Sequence, residues 1–171
     1  MPRQLLRDGR VVADDWTYLT ETANETDASG PGAAAPGGLI LAFDQWLGQK
    51  AQWLATGARL GVVLSPAHKV EALAPDLSRF DLIGAEFPGP GDGRGYTQGR
   101  LLRERYGFTG ELRATGYVRR DQLFFLARCG FNSFELPAGE IEDATRAFST
   151  FSAEYQPSND AGLAPLKLQR R

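Results

Sequence analysis

Five predicted strands begin near residues 39, 60, 82, 111 and 133, and their spacing constrains the fold more than any other feature. The strands are separated by segments of helical character. Strands that alternate with helices in this way are typical of βαβ units, in which the strands run parallel and each crossover is right-handed. The sequence therefore predicts an α/β fold with a mainly parallel, five-stranded sheet. The strands are expected at 39–43, 60–64, 82–87, 111–115 and 133–136.

Caps and apolar stripes predict the helices between these strands. Asp44 stands at an N-cap position before a helix that carries Trp46 and Trp53, and Gly57 is a natural stop. A short helical region follows the second strand, and further helices are expected at 96–106, 120–129 and 140–151. Five βα units are too few for an eight-stranded barrel. Either an open doubly wound sheet or a partial TIM-like barrel fits, and the partial barrel would complete its core by pairing with another chain.

The chain divides into four predicted parts. Residues 1–19 are expected to form a small N-terminal β-hairpin, because Asp8 and Gly9 make a tight-turn dipeptide between apolar pairs. Residues 20–38 lack large apolar side chains and predict a flexible linker. The α/β domain spans 39–155, and the polar residues 156–171 form a tail.

Composition excludes several classes of chemistry. With one histidine, His68, and one cysteine, Cys129, the chain alone builds no iron–sulfur cluster, Cys/His zinc site or internal disulfide. His68 shows no acidic neighbour along the chain and is interpreted as a surface residue. The net charge of −2 argues against nucleic-acid binding. No run approaches the ~18 apolar residues of a membrane span, and the N-terminus does not resemble a signal peptide. We expect a cytoplasmic protein without a membrane partner, and a homodimer is compatible with the pattern.

The most distinctive loop, FPGPGDGRGYT at 87–97, lies between a predicted strand and a predicted helix. Its alternating glycines would let the backbone approach a ligand, the helix N-terminus favours an anion, and Arg94 would add a bidentate clamp. The spacing matches neither the dinucleotide fingerprint nor the Walker loop. The alternative is a tight surface loop whose glycines serve only turn geometry. The residues assigned to an anionic ligand or cofactor are Asp92, Gly93, Arg94, Gly95, Tyr96, Thr97, Arg100 and Arg113.

Arginines concentrate in one segment of the chain. Residues 94–128 carry eight Arg against three acidic residues, so this segment is +5 while the rest of the chain is −7. One interpretation is a basic face that receives an anionic ligand or an acidic protein. The alternative is a solvated helix face whose arginines pair with local acids.

Several motifs resemble a bacterial family of unknown function whose members are named as oxidoreductases involved in sulfite reduction and are encoded beside assimilatory sulfite reductase. The motifs are DGRGYT at 92–97, RLLR at 100–103, GELRATG at 110–116, DQL at 121–123 and RCGF at 128–131, with LRDGR at 6–10 and DW at 15–16. Gly99 departs from the family pattern, in which alanine is usual, and glycine there costs up to about 1 kcal/mol of helix stability.

The resemblance implies a place in assimilatory sulfite reduction. Because this chain lacks the ligands for an iron–sulfur cluster or a stable haem, an oxidoreductase of this kind would borrow a flavin or NAD(P), with its phosphates at the glycine loop. The expected function is an oxidoreductase or accessory protein that binds an anionic ligand or cofactor at loop 89–97. The alternative is a non-catalytic partner of sulfite reductase, or of its electron donor, that docks through the Arg-rich 94–128 face.

Overall fold

The computed structural model describes residues 3–19 and 37–147, in which eight strands join one sheet. The strands are β1 (Arg3–Arg7), β2 (Arg10–Val12), β3 (Trp16–Tyr18), β4 (Gly38–Ala42), β5 (Leu60–Leu64), β6 (Leu82–Phe87), β7 (Glu111–Gly116) and β8 (Ser133–Pro137). The predicted linker, except for residues 37 and 38, and the predicted tail lie outside the described residues.

In the described part of the chain, five α-helices connect or follow the parallel strands. They are α1 (Phe43–Ala55), α2 (Val70–Leu73), α3 (Arg94–Arg100), α4 (Leu123–Arg128) and α5 (Ile141–Ala147). 3₁₀ turns lie at Ala74–Arg79, Arg120–Gln122 and Ala138–Glu140, and α3 continues as a π-helical segment, Leu101–Arg105. The N-cap of α1 is Ala42, with the Asp44 expected there in the first turn. Ala42 makes no side-chain cap hydrogen bond, and its own backbone N–H donates to the side chain of Gln45 at 3.0 Å.

The sheet is mixed and larger than the predicted five parallel strands. Its order is β2-β1-β8-β7-β6-β5-β4-β3, and the five predicted strands form the parallel block β4 to β8. β3 extends this block in parallel beyond β4, while β1 joins β8 antiparallel at the other side. The expected hairpin is present, with positive φ angles at Asp8 and Gly9 in its turn, but it belongs to the same sheet as the α/β units.

The helices cover one face of the sheet. Alternate strand residues such as Leu41, Val62 and Leu112 share one core cluster with Trp46 of α1 and Leu126 of α4. The order of the parallel block is sequential and does not reverse, as it would at the switch point of a doubly wound sheet. Sequential right-handed crossovers place all connecting helices on the same side, so no helix of residues 3–19 or 37–147 covers the opposite, inner face.

The sheet curls toward its inner face, which brings its edge strand β3 close to β8. In a flat sheet β3 would lie about 24 Å from β8, five strand spacings of roughly 4.8 Å away. The hydroxyl of Tyr18 in β3 nevertheless donates a hydrogen bond to Glu135 in β8. The sheet must therefore bend until these strands face each other.

Within the described part of the chain, no helix has the length and apolar character needed to cross a membrane.

Candidate functional site

The glycine and arginine loop is closed on itself through one ion pair. The Asp92 carboxylate accepts hydrogen bonds from the Arg94 backbone N–H at 3.1 Å, from Nε at 3.0 Å and from Nη2 at 2.6 Å. These bonds lower the pKa of Asp92 and raise the pKa of Arg94. The Arg94 side chain is 63% exposed. The predicted clamp therefore lies at the surface, held by its own carboxylate.

Aromatic rings pack against two of the glycines. A Cβ added to Gly95 would come within 2.5 Å of the Phe87 ring, and one added to Gly99 within 2.3 Å of the Phe131 ring. These two residues are four apart and lie on the face of α3 that packs against the sheet, where the missing side chains make room for the two rings. Tyr96 continues the aromatic layer, with its ring centroid 5.2 Å from that of Phe87. Its burial raises its pKa, with smaller contributions from Cys129 and Asp121.

The other arginines of the 94–128 segment mostly have acidic partners. Arg100 pairs with Glu104 one helical turn away, at 3.1 Å. Arg103 is an exception, because it donates to the carbonyls of Gly130, Phe108 and Gly110. These bonds tie the segment that follows α3 to two loops.

The two remaining predicted residues of the loop are exposed. Thr97 lies in the first turn of α3 and Gly93 at its N-cap.

A cavity of about 330 Å³ opens at the carboxyl ends of β6, β7 and β8, where the glycine loop begins. Its walls include Glu86, Pro88, Tyr117 and Arg119. Arg119 lies over the Tyr117 ring, 5.0 Å from the centroid, and pairs with Glu140. The carboxyl edge of parallel strands is where α/β folds place their ligands. A ligand bound at the predicted loop would therefore be expected beside this cavity.

Arg113 lies apart from the loop. It projects from β7 onto the inner face of the sheet and is 0% exposed, whereas α3 packs on the helical side of β6. All five of its N–H groups are committed. Nε and Nη2 donate to Glu111, Nη1 and Nη2 to Asp14 and Nη1 to Glu135. Arg94 and Arg113 therefore do not converge on one ligand.

Burial and pairing act in opposite directions on Arg113. Desolvation lowers its pKa, but the hydrogen bonds to Asp14 and the charges of Glu111 and Asp14 outweigh it, so its pKa lies above the ordinary value. A second guanidinium, that of Arg7, lies 3.3 Å from Glu111. We call Arg7, Asp14, Glu111, Arg113 and Glu135 the inner cluster.

Two hydroxyl groups also donate hydrogen bonds to Glu135. Tyr18 donates to its Oε1, and Thr115 donates to Oε2 at 3.0 Å. Burial and the charge of Glu135 raise the pKa of Tyr18 well above its ordinary value. A cavity of about 410 Å³ lies beside these groups, lined by Gln4, Leu5, Asp14, Tyr18, Thr115 and Glu135. We call it the inner cavity.

The sequence carried a signal for the inner cluster that the prediction did not use. A parallel strand covered on both faces is apolar throughout. In β7 and β8, however, polar residues alternate with buried apolar ones: Glu111, Arg113 and Thr115, then Ser133 and Glu135. This period of two indicates a polar second face. Asp14 and Tyr18 gave no such signal, because only the curl of the sheet brings them there.

His68 is not the isolated surface residue that the sequence predicts. Its Nδ1 accepts the Ser65 backbone N–H at 3.1 Å and lies 3.2 Å from Ser65 Oγ, while Nε2 lies 3.4 Å from Asp44. The accepting Nδ1 places the ring proton of the neutral form on Nε2, facing Asp44. Gln98 donates to the carbonyls of Ser65 and His68 and fixes this turn.

Residues 61–165 match the model of a family described as a bacterial protein of unknown function, DUF934. This match covers more than half of the chain. The chain belongs to the DUF934 family. The match begins in β5, so Arg113, Thr115 and Glu135 lie within it while Asp14 and Tyr18 precede it. The family match supports membership of a bacterial family of unknown function. The description of that family mentions neither oxidation and reduction nor sulfite. No curated protein matches the chain.

Proposed function

We propose that this DUF934 protein is an oxidoreductase or accessory protein of assimilatory sulfite reduction that binds a small anion at loop 89–97. One observation carries the site: the loop begins at a cavity on the carboxyl edge of β6, β7 and β8, with the guanidinium of Arg119 on its wall. The link to sulfite reduction rests on the motif resemblance in 92–131. The packing of Phe87 over Gly95 favours a sulfite- or phosphate-sized oxyanion over the pyrophosphate of a nucleotide.

An incoming anion would compete with Asp92 for Arg94. The intramolecular carboxylate occupies both Nε and Nη2, the two donors that a bidentate oxyanion uses. Removing the charge of Asp92 should therefore strengthen anion binding, and removing the guanidinium should abolish it. Asp92→Asn is well suited to this test, because its amide oxygen still accepts the Arg94 backbone N–H.

The experiment is calorimetric titration of sulfite, sulfate, phosphate, FMN and NADP⁺ into the wild type, Asp92→Asn and Arg94→Ala. We expect tighter oxyanion binding by Asp92→Asn and loss of binding by Arg94→Ala. Arg94 is exposed, so losing its ion pair should change stability little. Asp92→Asn keeps the acceptor of the backbone hydrogen bond, so the melting temperatures of both variants should stay close to that of the wild type. Equal affinities in all three proteins, or no binding of any anion by any of them, would contradict the proposal.

A second candidate function, docking onto sulfite reductase, is favoured by one side chain. Phe125 on α4 is 64% exposed and lies within the Arg-rich 94–128 segment. Aromatic residues and arginine are enriched in protein interfaces. Co-purification with sulfite reductase should weaken with salt and fail for Phe125→Ser, whereas Leu47→Ser, which removes an apolar side chain that is 53% exposed on α1, should still co-purify. Co-purification that survives Phe125→Ser would remove this candidate.

A further inference from the structure

The walls of the inner cavity present hydrogen-bond acceptors. Tyr18 and Thr115 each have a single hydroxyl proton, and both donate it to Glu135. What these hydroxyls can offer a ligand is therefore lone pairs. The carboxylates of Asp14 and Glu135 are acceptors when ionised. Of the polar side chains on the wall, only the Gln4 amide also has protons to give.

The positive charge of Arg113 in the inner cluster is already paired with carboxylates. The five N–H groups of Arg113 all point to carboxylates of the cluster. Among the five charged side chains of the cluster, carboxylates outnumber guanidiniums by three to two. On the wall, an anion would meet mostly acceptors, with the Gln4 amide as a neutral donor, whereas a cation that carries several N–H groups would complement these acceptors.

We propose that the inner cavity binds a small organic cation, a primary ammonium or amidinium compound. Its volume of about 410 Å³ falls in the range of small-molecule sites, about 300–1,000 Å³. Leu5 supplies an apolar wall for the hydrocarbon part of such a ligand. Asp14 and Tyr18 are partly exposed, at 33% and 40%, and mark the side from which a ligand enters.

An inorganic cation fits the same wall less well. Both oxygens of Glu135 already accept hydroxyl protons, so this residue has no free bidentate edge for a metal ion. Among residues 3–19 and 37–147, no group of His, Cys, Asp and Glu is arranged to hold a metal. Magnesium and potassium therefore serve as comparison ligands.

The test is calorimetric titration of the full chain with n-butylammonium and benzamidinium chlorides at low ionic strength. n-Butanol and butyrate match the shape of n-butylammonium without its positive charge. We expect saturable one-to-one binding of the two cations in the low-millimolar range, and none of n-butanol, butyrate, magnesium or potassium. Chemical-shift changes at Thr115 and Leu5 would place the ligand in the inner cavity.

Variants separate this site from the loop. Glu135→Gln keeps the shape of the wall and removes its charge, and should weaken n-butylammonium binding at least about tenfold. Arg94→Ala should leave that binding unchanged, because the loop lies on the other side of the sheet. Binding of n-butanol as tight as that of n-butylammonium, shift changes only at residues remote from the inner cavity, or unchanged affinity in a folded Glu135→Gln protein would each overturn the proposal. If Glu135→Gln does not fold, the comparison of n-butylammonium with n-butanol on the wild type decides.

Discussion

Replacing Arg113 by methionine should cost the protein a large part of its stability. Methionine retains much of the length of the side chain but removes the cation and all five N–H donors. Asp14 is 33% exposed and can regain water, whereas Glu111 and Glu135 are each 9% exposed and cannot. Leaving buried charge without its partner costs about 3–5 kcal/mol. This is a substantial share of the 5–15 kcal/mol that stabilises an ordinary domain.

The assay is urea unfolding of the wild type and Arg113→Met at neutral pH, with Arg7→Met as the matched control. Arg7 pairs with the same Glu111, but its side chain is 37% exposed, so its loss should cost less than about 1 kcal/mol. For a chain of this size the Arg113→Met loss corresponds to a melting temperature lower by roughly 6–20 °C.

One result would refute this reasoning about Arg113. A loss no larger than that of Arg7→Met would mean that the inner cluster is hydrated and that its ion pairs behave like surface pairs.

Three further predictions concern single contacts. Above pH 10.0, the ordinary pKa of tyrosine, Tyr18 ionises in the unfolded chain, whereas its raised pKa keeps it protonated in the fold. The free energy of unfolding should therefore fall as the pH rises above this value. Urea midpoints should show a less steep fall for Tyr18→Phe. Arg103→Ala should lower the free energy of unfolding by about 2–3 kcal/mol because buried carbonyls lose a charged donor, whereas its exposed neighbour Arg105→Ala should change it by less than about 0.5 kcal/mol. Gly99→Ala should destabilise by about 1–3 kcal/mol despite its better helix propensity, and Phe131→Leu should relieve that loss, both read by thermal melts.

The sequence predicted the parallel block well because that part of the fold depends on local patterns. β4, β5 and β6 are mainly apolar, β7 and β8 alternate polar with apolar residues, and the turn at Asp8 and Gly9 follows from residue type alone. The size of the sheet was not predictable in the same way. β3 has three residues and alternates like many exposed segments, and nothing in its pattern states that it pairs with β4, which follows a long intervening segment.

The candidate site was harder to predict because glycine serves two purposes. A glycine between a strand and a helix permits a ligand to approach the backbone, and it equally permits an aromatic ring to do so. At Gly95 and Gly99 the neighbours are Phe87 and Phe131. The choice between ligand and ring depends on which distant residue packs there, and one sequence does not contain that information in any local pattern.

Arg113 shows why polar contacts across a curled sheet escape such a prediction. Its charge and its position in the chain grouped it with Arg94, yet the alternation along β7 turns it to the opposite face. There it binds Asp14, which precedes β3, while Tyr18 at the end of β3 binds Glu135 in β8. Both ends of β3 are thus joined to the far side of the sheet by hydrogen bonds, and hydrophobic periodicity carries no record of hydrogen bonds. The inner cavity exists because of this closure, so a ligand that fits it should also stabilise the contact between β3 and β8.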